Sequence, residues 1–273
     1  MSTPSGAQPW LTIITVVRDA SDDFASTLAS IQAQDLDQVE FVVIDSSADK
    51  AAIPTLLTGY EARYTWTEPA GIYAAMNTGL QQASGDYVYF LNAGDTLATV
   101  GTIALIREAV GGQRPEWLYA EVQMWDAHGN VIATPRWDYD AEQRTCFSRG
   151  HFPCHQGTVV KRTLLLELGG FDTSYRIVAD YVVFLKLSLR SRPKHIDDVV
   201  AVFQPGGIST VRWRAALAEF HRARREILAP TGTAALREQA ETLLLLSKTA
   251  AYRGLWAEGR IGHGMAARLR GHA

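Results

Sequence analysis

The chain has 273 residues, of which 47% are hydrophobic and 20% are charged. This balance is typical of a globular protein with a sizeable core, and it excludes a disordered chain, a fibrous repeat and a disulfide scaffold. The net charge of −3 combines an acidic body with a basic tail: residues 1–211 carry 15 Lys and Arg against 24 Asp and Glu, and residues 212–273 carry 11 against 5. A basic tail attracts nucleic acid, an anionic membrane surface or a phosphorylated acceptor, or it forms a helical annex with a solvated charged face.

Three further features concern the cellular compartment. Cys146 and Cys154 lack the second cysteine pair of a structural zinc site, so we expect reduced thiols. No apolar run approaches the ~20 residues of a membrane span. Residues 1–9 lack the basic region and apolar stretch of a signal peptide. We therefore expect a cytoplasmic protein.

Strand-like and helix-like segments alternate through the first half of the chain. Apolar, β-branched runs predict four buried strands, at Leu11–Val17, Val39–Ile44, Arg63–Thr67 and Tyr87–Leu91. Helical spacing and capping signals predict helices that begin after an N-cap at Ser21, near Ala51, at Ile72 and at Thr102, the last ending at Gly111-Gly112. This alternation predicts an α/β fold with a parallel sheet covered on both faces.

The second half is less regular. A turn at residues 126–130 predicts a hairpin of Trp117–Trp125 with Val131–Ala133. Further strands are predicted at Gly157–Val160 and His195–Phe203, with helices at Leu164–Leu168 and Tyr181–Leu189. Beyond Val211 the pattern is helical throughout.

Polar side chains follow each of the four predicted parallel strands. The segments are Val17–Asp19, Asp45–Asp49, Glu68–Gly71 and Asn92–Asp95. Parallel sheets bind ligands beyond the carboxyl ends of their strands, so these segments mark the expected site. Carboxylates gathered there indicate a metal, a ribose or a proton-transfer site, or else unrelated acids that cap helices.

Seven stretches in a fixed order resemble the family-two inverting nucleotide-sugar glycosyltransferases of GT-A fold, and most of all the branch that builds bacterial exopolysaccharide and capsule. They are Thr12–Arg18, Phe41–Ser47, Glu68–Asn77, Gly85–Asp95, His155-Gln156, Gly169–Asp172 and Ala179–Tyr181. The resemblance implies a GT-A domain over residues 1–211, Rossmann-like, with a mostly parallel sheet and helices on both faces. Residues 212–273 lie outside it and are expected to form a basic helical extension.

The resemblance assigns the first two strand ends to the nucleotide of a sugar donor. Asp45 and Ser46 are expected to bind the base or ribose, because a carboxylate accepts two donors at once. The alternative for Asp45 is a helix cap. Thr15, Val17 and Arg18 are expected to line the same pocket. Arg18 meets a phosphate or stacks on the base, or it forms a surface ion pair.

The third helix and a later loop are expected to complete the donor site. Gly71 permits close backbone approach, and free N–H groups at the helix start would face the diphosphate. Asn77 is expected to reach the ribose or the sugar, the alternative being an ordinary polar residue of the helix. By resemblance, Gln204–Thr210 closes over the diphosphate. Arg212 and Arg214 follow this loop, and they help to hold phosphate or begin the tail helix facing water.

Asn92-Ala93-Gly94-Asp95 occupies the place of the family's Asp-x-Asp motif, in which a carboxylate holds a divalent cation against the diphosphate. Asn92 replaces the first acid, so Asp95 is the acid that remains in this turn. Hard oxygen ligands suit Mg²⁺ or Mn²⁺. We expect Asp95 to bind the cation, Asn92 and Ala93 to contact the donor, and His155 to be a further ligand or an ordinary core or surface histidine.

Asp180 matches the position of the family's catalytic acid. A free Asp has a pKa of ~3.9, so it is ionised at neutral pH and can accept a proton. It would take the proton of the acceptor hydroxyl while that oxygen attacks the anomeric carbon, as in inverting glycosidases. The alternative is an N-cap for the helix predicted from Tyr181.

The sequence thus predicts an inverting glycosyltransferase of cell-surface polysaccharide synthesis. It would move a sugar from a nucleoside-diphosphate sugar to a hydroxyl of a glycan or lipid-linked acceptor, with its basic tail at the inner face of the membrane. The acidic body argues against a nucleic-acid partner. A nucleotidyltransferase is one alternative, although Arg18–Asp23 is acidic where such enzymes carry a glycine-rich basic loop. A catalytically silent nucleotide- or glycan-binding subunit is the other, because the Asp-x-Asp motif is altered.

Overall fold

The computed structural model describes residues 8–126, 128–142, 152–203 and 212–257, which contain one sheet of nine strands. In chain order the strands are β1 (Leu11–Val17), β2 (Val39–Asp45), β3 (Arg63–Trp66), β4 (Tyr87–Phe90), β5 (Thr96–Leu97), β6 (Trp117–Trp125), β7 (Val131–Ala133), β8 (Thr158–Lys161) and β9 (Lys194–Phe203). The α-helices are α1 (Ser21–Gln32), α2 (Ala52–Leu56), α3 (Ile72–Gln82), α4 (Thr102–Gln113), α5 (Tyr139–Glu142), α6 (Arg162–Glu167), α7 (Ala179–Arg190), α8 (Trp213–Leu228) and α9 (Gly232–Ala257). A 3₁₀ turn spans His155–Gly157.

The first half of the sheet is parallel, as the alternating pattern predicts. β1 lies between β2 and β4 and is parallel to both, and β3 is parallel to β2. All seven residues of β1 are buried, as expected for a strand covered on both faces. The register pairs Val17 with Asp45, so the loops after β1 and β2 leave the sheet side by side.

The second half of the sheet is mixed. The strands lie in the order β3-β2-β1-β4-β8-β6-β9-β5, and β7 pairs with β6. β8 is antiparallel to both β4 and β6, whereas β6 and β9 are parallel. The α/β fold class is confirmed, but the sheet is all parallel only from β3 to β4. A short apolar run does not encode the direction of its strand, so the sequence could not supply this detail.

Two apolar cores cover the two faces of the sheet. One packs α3, α6, α7 and α8 against the sheet, and the other packs α1 and α4. The ring of Phe220 on α8 meets Tyr181 of α7 edge to face, with 4.7 Å between centroids. The first tail helix therefore lies against the helix that carries Asp180.

A buried ion pair joins the two tail helices. Arg224 of α8 is 1% exposed, and it donates hydrogen bonds to Glu238 and Thr242 of α9 at 2.8 and 2.9 Å. Removing one partner of such a pair would leave the other charge buried and uncompensated. Across the described residues, no helix is long and apolar enough to cross a membrane.

Three helix boundaries differ from the sequence-based prediction. Ser21 is the first residue of α1 and does not cap it; the N-cap is Ala20, with no side-chain hydrogen bond. α4 continues through Gly111-Gly112 to Gln113, and ends where Arg114 adopts a φ of 45°. α7 begins at Ala179, which places Asp180 inside its first turn and not at its N-cap.

The course of α4 can be tested by replacing Gly111 with Ala. A β-carbon built at Gly111 meets no described atom within 4 Å, and an alanine inside a helix loses less backbone entropy than a glycine. G111A should therefore raise the free energy of unfolding by about 0.5–1 kcal/mol, measured by urea denaturation. The matched control is G169A, which also has open space but a φ of +88°, and it should be destabilising. A G111A protein less stable than the wild type would mean that α4 ends at its glycines.

Candidate active site

A cleft of about 870 Å³ opens at the carboxyl ends of β1 and β2. Val17, Arg18 and Ser46 line it from the strand ends, and Gly71 and Tyr73 line it from the start of α3. Gly71 has a φ of 102°, a conformation that favours glycine, and no side chain caps the helix that follows. The first N–H groups of α3 therefore remain available to an anion in the cleft.

Three arginines give this cleft a positive character. Arg18, Arg176 and Arg212 all line it and all are exposed. Arg18 also lies 3.6 Å from the Asp19 carboxylate, so the expected surface ion pair is present beside the cleft. Guanidinium groups bind phosphate oxygens in a forked geometry. Sequence reasoning missed Arg176, because it reaches the cleft from the turn before α7, far from the strand ends in sequence.

Asp45 and Thr15 lie beneath the cleft and do not line it. Asp45 is fully buried; its Oδ1 accepts the N–H of Ser47 at 2.7 Å, and its Oδ2 accepts the Tyr64 hydroxyl at 2.9 Å. The Thr15 hydroxyl donates to the carbonyl of Leu91 at 2.7 Å. These bonds fix the turn after β2 and the start of the segment after β4. Both residues are thus buried with hydrogen-bond partners of their own, and their expected contact with the nucleotide stays a prediction.

Asn77 has partners other than the expected ribose or sugar. Its Nδ2 donates to the Phe171 carbonyl at 2.7 Å, and its Oδ1 accepts the Phe171 N–H at 2.8 Å. A β-carbon on the neighbouring Gly170 would lie 2.5 Å from that oxygen, so only glycine fits there. The amide of Asn77 therefore ties α3 to the turn before α7, and its expected contact with a ribose or sugar stays a prediction.

The turn after β4 presents oxygen atoms in a buried setting. Asp95 is 8% exposed, and burial raises its pKa to about 6, although His155 and a 3.4 Å hydrogen bond from Gln156 favour the charged form. Asn92 Oδ1 is buried and has no hydrogen-bond partner among the described residues. Ala93 donates its N–H to the Val16 carbonyl at 3.1 Å, which holds the turn beside β1. A buried carboxylate and a free amide oxygen fit a hard divalent cation.

His155 lies between this turn and Asp180. Its Nε2 is 3.2 Å from Asn92 Nδ2, and its Nδ1 is 3.7 Å from Asp180 Oδ2. Burial disfavours the charged ring, but Asp180 and then Asp95 raise the pKa of His155 above its usual value. Since both ring nitrogens face other side chains, His155 is placed to link Asn92 with Asp180 more directly than to bind a cation.

Asp180 is held by a tyrosine that belongs to the cleft. The Tyr73 hydroxyl lies 3.0 Å from Asp180 Oδ1 and 2.8 Å from the Ile177 carbonyl. The N–H of Tyr181 donates to the same Oδ1 at 2.9 Å. Burial, and then the Asp180 carboxylate, raise the pKa of Tyr73, so this hydroxyl keeps its proton. Oδ1 is thus engaged by two donors, whereas Oδ2 has only the more distant His155 Nδ1, at 3.7 Å, among the contacts of the described residues.

A second, apolar hollow of about 280 Å³ is lined in part by Asp180. Its walls come from the tail helices and from the segment before the 3₁₀ turn, including Phe152, Trp213, Leu217, Phe220 and Thr249. The carboxylate is 18% exposed by side chain, so it is reachable but largely shielded from water. The expected loop at Gln204–Thr210 lies outside the described residues.

Comparisons with known proteins agree on one family. The profile of Glycosyl transferase family 2 matches residues 12–169. A Mycobacterium bovis PGL/p-HBAD biosynthesis glycosyltransferase is 28% identical over 218 residues, which cover 74% of this chain and 80% of that one.

Two solved structures share the fold. The Pyrobaculum calidifontis mannosyltransferase PcManGT, in complex with GDP-Man and Mn²⁺, has a TM-score of 0.62 at 22% identity, with 94% of this chain and 81% of that one covered. S. aureus TarS 1–349, in complex with UDP-GlcNAc, has a TM-score of 0.64 at 17% identity, with 86% and 71% covered. At these identities the likeness shows the GT-A fold alone.

The clamp role of Asn77 is tested by N77A. This change leaves the N–H and carbonyl of Phe171 without partners, so the free energy of unfolding should fall by about 1–3 kcal/mol in urea denaturation. The matched control is T78A, because the Thr78 hydroxyl bonds only a carbonyl of its own helix in this structure, at 3.1 Å. If N77A has unchanged stability and binds nucleotide more weakly, Asn77 contacts the ligand and is not a clamp.

Proposed function

This chain belongs to glycosyltransferase family 2, and we propose that it is an inverting enzyme that moves a sugar from a nucleoside-diphosphate sugar to a hydroxyl group. The observation that carries the proposal is the position of Asp180, which is held by Tyr73 of the cleft and itself lines the apolar hollow. A base that lines one binding space and is held by a residue of the other suits transfer between a donor and an acceptor. A binding subunit would have no use for it.

The donor is proposed to bind in the cleft. Arg18, Arg176 and Arg212, together with the uncapped start of α3, favour a diphosphate, because each supplies N–H donors or positive charge. Ser46 and Val17 face the space left for the nucleoside. PcManGT and TarS, which share the fold, hold GDP-Man and UDP-GlcNAc respectively.

A divalent cation, Mn²⁺ or Mg²⁺, is proposed to bind at Asp95 and Asn92 Oδ1. The unpartnered amide oxygen and the buried carboxylate fit this group, and PcManGT was solved with Mn²⁺. When bound, the cation would neutralise negative charge on the departing diphosphate. His155 then serves to orient Asn92 through the 3.2 Å contact with its amide.

Asp180 is proposed to act as the general base. With Oδ1 occupied by Tyr73 and by the N–H of Tyr181, Oδ2 takes the proton of the acceptor hydroxyl. The acceptor oxygen attacks the anomeric carbon on the face opposite the leaving diphosphate, which inverts the configuration. Tyr73 remains protonated throughout, so it holds the carboxylate without competing for the proton.

The acceptor is proposed to be a glycan on an apolar carrier, in the synthesis of a cell-surface polysaccharide. The hollow beside Asp180 is lined mainly by apolar side chains, which fits a lipid-linked acceptor better than a free sugar. Leu236, Leu243 and Leu244 are 70%, 58% and 54% exposed on α9. We assign residues 1–211 to the catalytic domain and the basic residues 212–273 to an extension that holds the enzyme at the cytoplasmic face of an anionic membrane.

Replacing Asp180 with Asn tests the catalytic proposal. Release of nucleoside diphosphate from UDP-GlcNAc and GDP-mannose is measured with a cell-envelope lipid extract as acceptor. D180N keeps the hydrogen-bond acceptor for Tyr73 but cannot take a proton, so turnover should fall by about 10²–10⁴-fold while calorimetric donor binding stays unchanged. The matched control is D172N, in the preceding turn, where the carboxylate accepts hydrogen bonds from Ser174 of the same turn. Turnover of D180N equal to that of the wild type, or donor binding by a wild type without turnover, would contradict the proposal.

Flotation with lipid vesicles tests the membrane contact. We expect the protein to float with phosphatidylglycerol vesicles and not with phosphatidylcholine, and binding to weaken as salt is raised. The triple change L236S/L243S/L244S should reduce flotation, because three exposed apolar side chains are lost. L189S is the matched control, since Leu189 is 64% exposed on α7. Equal flotation of the triple variant and the wild type, or no flotation at all, would refute the contact.

A further inference from the structure

A β-bulge brings together polar side chains that the proposed mechanism does not use. In the pairing of β6 with β9, Ala120 lies opposite Ile196, but the next residue, Glu121, lies opposite Val199. β9 therefore carries extra residues at this point, among them Asp197. Bulges are rare in parallel pairs, and they re-aim side chains next to functional sites.

Glu121 is the buried member of this cluster. Its side chain is 4% exposed, and its Oε1 lies 3.1 Å from His195 Nε2. Its Oε2 is buried and has no hydrogen-bond partner among the described residues. Leaving a buried carboxylate oxygen unpaired is costly, so this oxygen indicates a missing partner of positive charge.

His195 and Asp197 complete a set of three ligand groups. The ring of Tyr119 stacks on His195 with 4.5 Å between centroids, which fixes the orientation of the imidazole. Glu121, His195 and Asp197 each offer one ligand atom, and these three atoms lie within 4.8 Å of one another. Ligand atoms around one tetrahedral zinc ion lie about 3.3–3.6 Å apart, because each bond is about 2.0–2.2 Å. A shift of the exposed Asp197 side chain closes the difference.

A guanidinium group stands at the edge of the same cluster. Arg136 Nε is 4.0 Å from Glu121 Oε2, and its NH2 nitrogen is 3.8 Å from Asp197 Oδ1. Both contacts are too long for hydrogen bonds, and the Arg136 side chain is 74% exposed. It borders an open cavity of about 580 Å³ that Glu121, His195 and Asp197 also line. Arg136 thus balances charge here without satisfying the buried oxygen.

We propose that Glu121, His195 and Asp197 bind one divalent transition-metal ion, and that Arg136 turns out into the cavity when the ion enters. An imidazole nitrogen with two carboxylates suits Zn²⁺ or Mn²⁺ better than Mg²⁺, which prefers oxygen ligands alone. The ion ties the bulge of β9 to β6, and its charge balances the two carboxylates. The site does not depend on the proposed function, since it uses neither Asp95 nor Asp180.

Calorimetric titration of the full chain with Zn²⁺, after treatment with EDTA and dialysis, tests the site. The wild type should bind one Zn²⁺ that is lost or weakened by at least about tenfold in E121Q, H195Q and D197N. H195Q and D197N alter exposed groups, so their binding is informative even if E121Q fails to fold. The matched control is D198N, a neighbouring exposed carboxylate outside the cluster, which should bind as the wild type does. D95N should also retain this site, which separates it from the cation proposed for the donor.

R136Q tests the exchange of guanidinium for metal. Removing the competing charge should tighten Zn²⁺ binding in the same titration. The proposal is overturned if the wild type binds no Zn²⁺. It is also overturned if H195Q and D197N bind Zn²⁺ as tightly as the wild type does. An R136Q protein that binds Zn²⁺ no more tightly than the wild type contradicts the exchange.

Discussion

The hydrogen bond between Tyr73 and Asp180 joins two parts of the molecule that lie 107 residues apart in sequence. Tyr73 stands in the first turn of α3, whose start forms a wall of the cleft, and Asp180 stands in the first turn of α7. Asn77 repeats the connection one turn further along α3, through its two bonds to Phe171. Because the same helix shapes the cleft and holds the carboxylate, the proposed donor site and the proposed base are positioned relative to one element.

Burial raises the free-energy cost of leaving any of these polar groups without a partner. Asp95 and Asn92 are buried, and there each unpaired oxygen costs more free energy than at the surface. The raised pKa of Asp95, about 6, has the same cause. A polar group kept buried at such cost is best explained by a partner of opposite charge, and this argument applies equally to Asn92 and to Glu121.

The sequence predicts the first half of the fold, where the hydrophobic periodicity of strands and helices is strong. The buried runs of β1, β2 and β4 and the apolar stripe of α3 are local signals, and the strands and helix lie where those signals place them. The path of α4 through Gly111-Gly112 was mispredicted, because packing against the sheet outweighs the low helix propensity of two glycines. The directions of β8 and β9 depend on pairing across the whole chain, which no local pattern contains.

The candidate site also has a part that the sequence predicts and a part that it could not predict. Val17, Arg18 and Ser46, which follow parallel strands in the sequence, line one cleft. Position in the sequence could not show that Asp45 faces inward to Tyr64, that Asn77 clamps Phe171, or that Arg176 reaches the cleft. Those facts depend on which side chains meet in three dimensions. The Glu121 cluster was missed for the same reason, since its members are assembled by a bulge.

A double-mutant cycle on Tyr73 and Asp180 tests the central claim most directly. Transfer rates at saturating donor are measured for the wild type, Y73F, D180N and the double variant. If Tyr73 acts by holding the base, Y73F alone should lower the rate by about tenfold or more, as loss of a hydrogen bond to a charged group implies. The double variant should then be no slower than D180N. Independent, multiplying losses would show that Tyr73 acts elsewhere, and an unchanged rate in Y73F would show that the contact has no part in catalysis.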